Sequence, residues 1–157
     1  MTDIVKLQEL LARVENAEGP DVHLDRDIYE FVLKGRSERV EWDVVAGDYT
    51  KSIDAAVSLC ERVLSGWWWK VGTCCVSDDA CVAPDYNSPE HGERLKLEFP
   101  LPTERYPRPG TSGASPTTWG PYDEGFDIDR RPPGNVALAL CQAILEAKLY
   151  IAEKAET

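Results

Sequence analysis

The run Trp67-Trp68-Trp69-Lys70-Val71-Gly72-Thr73-Cys74-Cys75-Val76 leads directly into Ser77-Asp78-Asp79 and then Ala80-Cys81-Val82-Ala83-Pro84. Aromatic and β-branched side chains suit a pleated, half-buried surface, and Ser-Asp-Asp supplies turn chemistry between two such runs. The expected element is a β-hairpin. Just upstream, Ile53, Ala56, Val57, Cys60, Val63 and Leu64 recur at helical spacing. Ser52 or Thr50 can accept a backbone hydrogen bond at the start of that helix, and Gly66 can end it. A helix feeding a hairpin is therefore the centre from which the rest is read.

Working towards the N-terminus, residues 36–49 alternate Arg39, Glu41 and Asp43 with Val40, Trp42 and Val44, a period-2 pattern that predicts a short strand. Before it, Asp21 can cap a short helix in which Leu24, Ile28, Phe31 and Val32 share a face, with Gly35 after its last turn. Residues 3–16 place Ile4, Leu7, Leu10, Leu11 and Val14 on one helical stripe, ended by Gly19-Pro20. The two helices read as a helical hairpin.

Working towards the C-terminus, residues 94–99 alternate Leu95, Leu97 and Phe99 with Lys96 and Glu98, which predicts a third strand. Residues 100–134 hold eight of the eleven prolines and five of the eleven glycines, so most of that window reads as a long loop. A closing helix follows over 135–154. Ala137, Leu140, Cys141, Ile144, Leu145 and Lys148 share one of its faces, and Leu138, Leu149 and Ile151 widen the stripe. A helix this apolar must pack on the sheet. The expected fold class is α+β, one domain over residues 1–157, with a small antiparallel sheet layered between helices in an αβα sandwich.

Composition narrows the function classes. A length of 157 residues suits a single core. No stretch approaches the roughly 18 consecutive apolar residues of a membrane-spanning helix. The first residues lack a basic segment followed by a hydrophobic run and a cleavage site, so secretion is not expected. Five cysteines, an odd number, with Cys60 and Cys141 on apolar helix faces, suit a reducing compartment, and the expected location is cytoplasmic. The net charge of -11 disfavours direct DNA or RNA binding and attraction to anionic membranes. DNA mimicry would need a continuous acidic stripe, whereas Asp25-Arg26-Asp27 and Glu38-Arg39-Val40-Glu41 alternate in sign.

Two segments carry a family pattern. The first is Asp48-Tyr49-Thr50-Lys51-Ser52-Ile53-Asp54-Ala55-Ala56, continuing through Glu61-Arg62-Val63-Leu64 to Gly66-Trp67-Trp68-Trp69; the second is Ala137-Leu138-Ala139-Leu140-Cys141-Gln142-Ala143. They resemble the central helix with its first strand and the closing helix of phage ABA sandwich proteins. Glu18-Gly19-Pro20-Asp21 with Leu24-Asp25 is similar to the N-terminal helical turn of that family. The resemblance covers about half of the sequence. It implies helix layers around a small sheet in a phage or prophage setting, and it brings no catalytic residues.

Chemistry is sparse in the sequence. Cys74, Cys75, Cys81 and His91 are the nearest approach to a metal set, but neighbouring cysteines on a strand point to opposite faces, and strand packing accounts for them better. A redox role for Cys74 or Cys75 lacks the spaced Cys-x-x-Cys arrangement. His23 with Asp25 or Asp27 is the best acid-base candidate, yet Asp21, Asp25 and Asp27 in the first turns of a helix are explained by its dipole. No cofactor is indicated. Arginines and aromatics interleave in one segment only, where Arg105, Tyr106, Arg108, Trp119, Tyr122, Arg130 and Arg131 follow the strand bearing Trp68 and Lys70. Flat aromatic faces and guanidinium groups together suit a nucleotide-like anion, and the start of the final helix would favour negative charge beside Arg130 and Arg131. The expected function is non-enzymatic: a phage accessory protein, in a homo-oligomer, that sequesters a nucleotide-derived host immune signal. The alternative is a protein-interaction module that inhibits or adapts a host or phage protein.

Overall fold

The computed structural model describes residues 4–33, 47–98 and 126–155. The strand expected within 36–49 and the glycine at position 35 lie outside them, apart from residues 47–49. Helix α1 (Ile4–Asn16) buries Leu7, Leu10 and Val14 as its spacing predicts. Helix α2 (Val22–Ile28) is capped by Asp21, whose carboxylate accepts from the His23 and Leu24 amides. It continues into a π-helical turn, Tyr29–Leu33. That wider turn corrects one expectation: Tyr29 and Val32 are buried, while Phe31 faces outward beneath the Lys6 ammonium, 4.9 Å from the ring centroid. Inserting a residue per turn rotates the face that a regular 3.6-residue period would bury.

Helix α3 (Ile53–Val63) starts at Ser52, whose hydroxyl accepts from the Ala55 amide at 3.2 Å, and buries Ala56, Cys60 and Val63 as expected, but Leu59 is buried in addition and Ile53, expected on that stripe, is exposed in the first turn. Gly66, at φ +85°, reverses the backbone into the hairpin, a conformation that costs glycine little. The hairpin forms, from β1 (Trp67–Thr73) and β2 (Asp78–Pro84), but its turn falls at residues 74–77, ahead of the expected Ser77-Asp78-Asp79, so Asp78 and Asp79 open the second strand. The third strand expected next does not form. Residues 92–98 form α4 (Gly92–Glu98), with Leu95 buried and Leu97 exposed. Apolar-polar alternation over so few residues fits either element. Ion pairs at helical spacing, Arg94–Glu98 at 2.9 Å and Glu93–Lys96 at 3.2 Å, accompany the helix.

The third strand is β3 (Phe126–Arg130), inside the window read as loop. The described sheet has order β1-β2-β3, antiparallel throughout. Its registers place Trp69, Val82 and Phe126 in one row, Val71, Ala80 and Ile128 in the next, and Thr73, Asp78 and Arg130 in a third. On this side Val82, Ala80, Ile128 and Asp78 are buried, whereas Trp69 and Thr73 on β1 stay exposed. The alternate rows, Lys70–Cys81–Asp127 and Gly72–Asp79–Asp129, face the other way, and Trp68 shares their side. The arrangement is α+β.

Helix α5 (Val136–Ala155) is the hub, packed on the strands, on α1 and on α3. That position explains why Leu138, Ala139, Ala143 and Ala147 are buried along with Leu140, Cys141, Ile144 and Leu145: partners surround the helix on more than one face. Phe126 links the sheet to the hub, stacked on Trp67 at 6.1 Å and tilted against Tyr150 at 5.5 Å.

The segment Asp48-Tyr49-Thr50 is a polar junction in which Tyr49 and Thr50 are buried and Asp48 is exposed. The Thr50 amide donates to Asp25 (2.8 Å), the Asp21 amide to the Thr50 hydroxyl (2.8 Å), and Asn135 Nδ2 to the Thr50 carbonyl (2.7 Å). Cys141 Sγ donates to the Tyr49 carbonyl at 3.2 Å. One tripeptide thus ties α2 and the start of α3 to α5. Burial pushes the Asp25 carboxyl up, with the Thr50 bonds acting against it and the nearby Asp48 and Asp21 charges adding to it.

A tight approach fixes α4. A methyl group on Gly92 would collide with the Tyr86 carbonyl oxygen, a main-chain atom that cannot rotate aside. Gly92→Ala should destabilise the fold by about 2 kcal/mol, as overpacking typically does. A urea midpoint equal to that of the parent protein would show that the 85–92 segment shifts freely.

Candidate functional site

The described residues enclose a cleft of about 600 Å³ between the end of α1 and the connection from β3 to α5. Glu15, Asn16 and Glu18 form one wall, Arg131, Pro132 and Pro133 the other, and Arg130, Asp78, Asn135 and Leu138 lie beneath. Two of the arginines singled out from sequence therefore share one cavity. Trp68 and Lys70 do not join them: Lys70 pairs in register with Cys81, and both residues point to the side of the sheet opposite Arg130. Trp68 is half-buried and Lys70 exposed. Arg105, Tyr106, Arg108, Trp119 and Tyr122 lie outside the described residues.

Arg130 is held firmly. Its Nη1 donates to the Val14 carbonyl and to Gln142 Oε1, both at 2.9 Å, and its Nη2 donates to the Ala17 carbonyl at 2.7 Å. Carbonyls in the last turn of a helix lack intrahelical donors, so the Arg130 guanidinium caps the C-terminal end of α1. All three acceptors are neutral. Among the described residues no carboxylate contacts the guanidinium directly, although Asp78, opposite it in register, lies close enough to feel its charge. Arg131 is exposed and pairs with Asp129 at 3.2 Å, an interaction that solvent screens strongly.

Asp78 is the residue that sequence reading undervalues. Its sequence context marks it only as a turn former, but it sits at 2% exposure below the cleft. Its Oδ2 accepts from the Gly134 and Asn135 amides at 2.8 and 2.7 Å, and its Oδ1 accepts from the Thr73 hydroxyl at 2.6 Å. The amides at the start of α5, expected to favour a bound anion, thus already hold an internal carboxylate. Burial raises the Asp78 carboxyl, but Thr73, Gly134, Asn135 and the Arg130 charge outweigh it and hold the group below the ordinary carboxylate range. The signal for this is the register opposition of Asp78 and Arg130, which emerges only once β3 is known.

The remaining candidates have structural partners. Asp21 caps α2, Asp25 holds Thr50, and Asp27 pairs with Arg13, while His23 is exposed on the first turn of α2. Cys74 and Cys75 lie beyond the end of β1 in the hairpin turn, so the strand alternation expected for them does not apply. Among the described residues, no three His, Cys, Asp or Glu groups converge to hold a metal ion. No described helix is long and apolar enough to cross a membrane. Compared with known proteins, the sequence and fold match no family model, no curated protein and no solved structure.

Proposed function

We propose that the protein is a non-enzymatic binding protein whose cleft beneath the β3–α5 connection takes a small anionic, nucleotide-like ligand. In biological terms, it is read as a phage accessory protein that sequesters a nucleotide-derived host immune signal. The observation that carries this reading is the cavity of about 600 Å³ shared by Arg130 and Arg131, with the Arg130 charge immobilised by neutral acceptors. A guanidinium held in position before binding loses little freedom when an anion arrives. Glu15 and Glu18 on the opposite wall limit how much negative charge the cleft accepts, which favours a ligand whose phosphates sit at the Arg131 side.

Calorimetric titration against cyclic di- and trinucleotides and cyclic ADP-ribose isomers tests the reading. Micromolar binding is expected for at least one, weakened about tenfold or more by Arg131→Glu, because a charge reversal removes a charge-assisted contact and adds repulsion. Absence of any micromolar binder, together with no nucleotide released from the denatured purified protein, would end it.

A second reading, a protein-interaction module, draws on the other side of the sheet. Asp79, Asp127 and Asp129 are exposed there beside Lys70, in a protein of net charge -11. That surface complements a basic patch on a protein. Pull-down with Asp79→Lys/Asp127→Lys separates the two readings, since neither residue lines the cleft or pairs with Arg131. A loop-deletion variant should stop at residue 125, because β3 begins at Phe126.

A further inference from the structure

The five cysteines divide into two groups. Cys60, Cys81 and Cys141 are buried, whereas Cys74 and Cys75 are exposed side by side at the tip of the hairpin. Burial pushes the Cys60 thiol up to about 12 and raises those of Cys81 and Cys141 as well, so all three stay protonated and shielded. The tip is different. The Cys74 amide donates to the Ser77 carbonyl at 2.9 Å, closing a tight turn that folds the following backbone over the sulfur. The Val76 amide donates to Cys74 Sγ at 3.4 Å, and the Ser77 oxygen Oγ lies 3.8 Å from it.

We infer that the Cys74-Cys75 tip is a thiol-exchange site, with Cys74 the attacking sulfur and Cys75 a second, slower thiol, and that its co-substrate is a low-molecular-weight disulfide such as oxidised glutathione. In the step, the Cys74 thiolate attacks one sulfur of the disulfide. A new S–S bond forms as the old one breaks, and the other half leaves as a thiolate that takes a proton from water. Cys74 is oxidised to a mixed disulfide and half of the reagent is reduced, with no further oxidant. The Val76 amide and the Ser77 amide and hydroxyl favour the thiolate of Cys74, against the repulsion of Asp79, which is the charged group opposing it. The protein core provides the internal comparison, because its three thiols have neither exposure nor donors of this kind.

The test is stopped-flow reaction of the folded protein with an aromatic disulfide at pH 7, with N-acetylcysteine measured alongside. Two thiols should react before denaturation and all five after it. The faster native phase should exceed N-acetylcysteine by about threefold for each unit by which the thiol is acidified. The thiolate fraction rises tenfold per unit while nucleophilicity falls by about a factor of three. Cys74→Ser should remove that phase, Cys75→Ser should keep it, and Ser77→Ala should slow it. Tandem mass spectrometry after oxidised glutathione should place the first adduct on Cys74. Loss of the fast phase in Cys75→Ser, or a fast phase no quicker than N-acetylcysteine, would overturn the inference. Unchanged circular dichroism of the exposed-site variants separates either result from unfolding.

Discussion

Replacing Asp78 with alanine is expected to lower the unfolding free energy by about 3 kcal/mol at pH 7, the scale of losing a helix cap together with part-buried hydrogen bonds to a charged group. For a protein of this size that is a fall in Tm of roughly 6–12 °C. The change removes the acceptor shared by the hairpin, through Thr73, and by the start of α5, through Gly134 and Asn135. Two amides and a hydroxyl lose a charged acceptor, and water in the cleft replaces it only in part. Asp78→Asn should cost less, because an amide oxygen can still accept from the two amides while its nitrogen faces the Thr73 hydroxyl.

The pH dependence has a definite sign. The folded protein holds the Asp78 carboxyl below its ordinary value of 3.8, so the ionised form is favoured by folding. Its contribution is fully present above about pH 4 and is lost as the pH falls through the folded value, where both states become protonated. The gap between the parent protein and Asp78→Ala should therefore narrow below about pH 4. Asp25 and Glu146 are displaced upward, mainly by burial, so acidification relieves rather than adds to their cost. Urea titrations of the two proteins across pH 2.5–7, on the order of the carboxylate range, isolate Asp78 by difference. A gap that stays constant through that range would contradict an ionised, hydrogen-bonded Asp78.

Arg130→Ala is expected to have an effect of similar size, about 3 kcal/mol, for a different reason. Three hydrogen bonds are lost at once: those to Gln142 on α5 and to the Ala17 carbonyl, and that to the Val14 carbonyl, which keeps only the Ala17 amide at 3.2 Å. Lysine cannot reproduce the forked geometry, so Arg130→Lys should recover only part of the loss. Because the Arg130 charge also helps hold Asp78 ionised, the double variant Asp78→Ala/Arg130→Ala should be less destabilised than the two single effects together. Thermal unfolding of the three variants measures this coupling. An Arg130→Ala protein as stable as its parent would mean that the guanidinium is not the tie between α1, β3 and α5. Comparing Arg130→Ala with Arg131→Glu also separates scaffold from ligand contact. The first should alter both stability and ligand binding, and the second ligand binding alone.

Much of the scaffold is legible in the residues alone. The stripes of α1 and α3, the apolar closing helix, the cap at Ser52 and the hairpin from Trp67 to Pro84 follow from local periodicity and turn chemistry, which operate within a few residues. Misreadings arise where local signals are ambiguous or overruled. Leu95-Lys96-Leu97 alternates like a strand, but helical ion pairs and one buried leucine suit a surface helix as well. Phe126-Asp127-Ile128-Asp129-Arg130 alternates cleanly, yet the prolines and glycines around it conceal five residues of strand.

The candidate site is legible only in part. Arg130 and Arg131 can be named from composition, but their partners cannot, because those partners come from distant parts of the sequence. Val14 lies 116 residues away from Arg130, and Asp78 lies 56 from Gly134. Residue order was enough to establish which segments are amphipathic, where helices begin, and that the protein is strongly acidic. Three further points needed the assembled fold: that Asp78 fills the anion position at the start of α5, that Arg130 is braced by α1 and Gln142, and that Trp68 and Lys70 face away from it. The difference is one of range: propensity and periodicity act between neighbours, whereas the pairing of buried charges depends on which strands and helices are brought together.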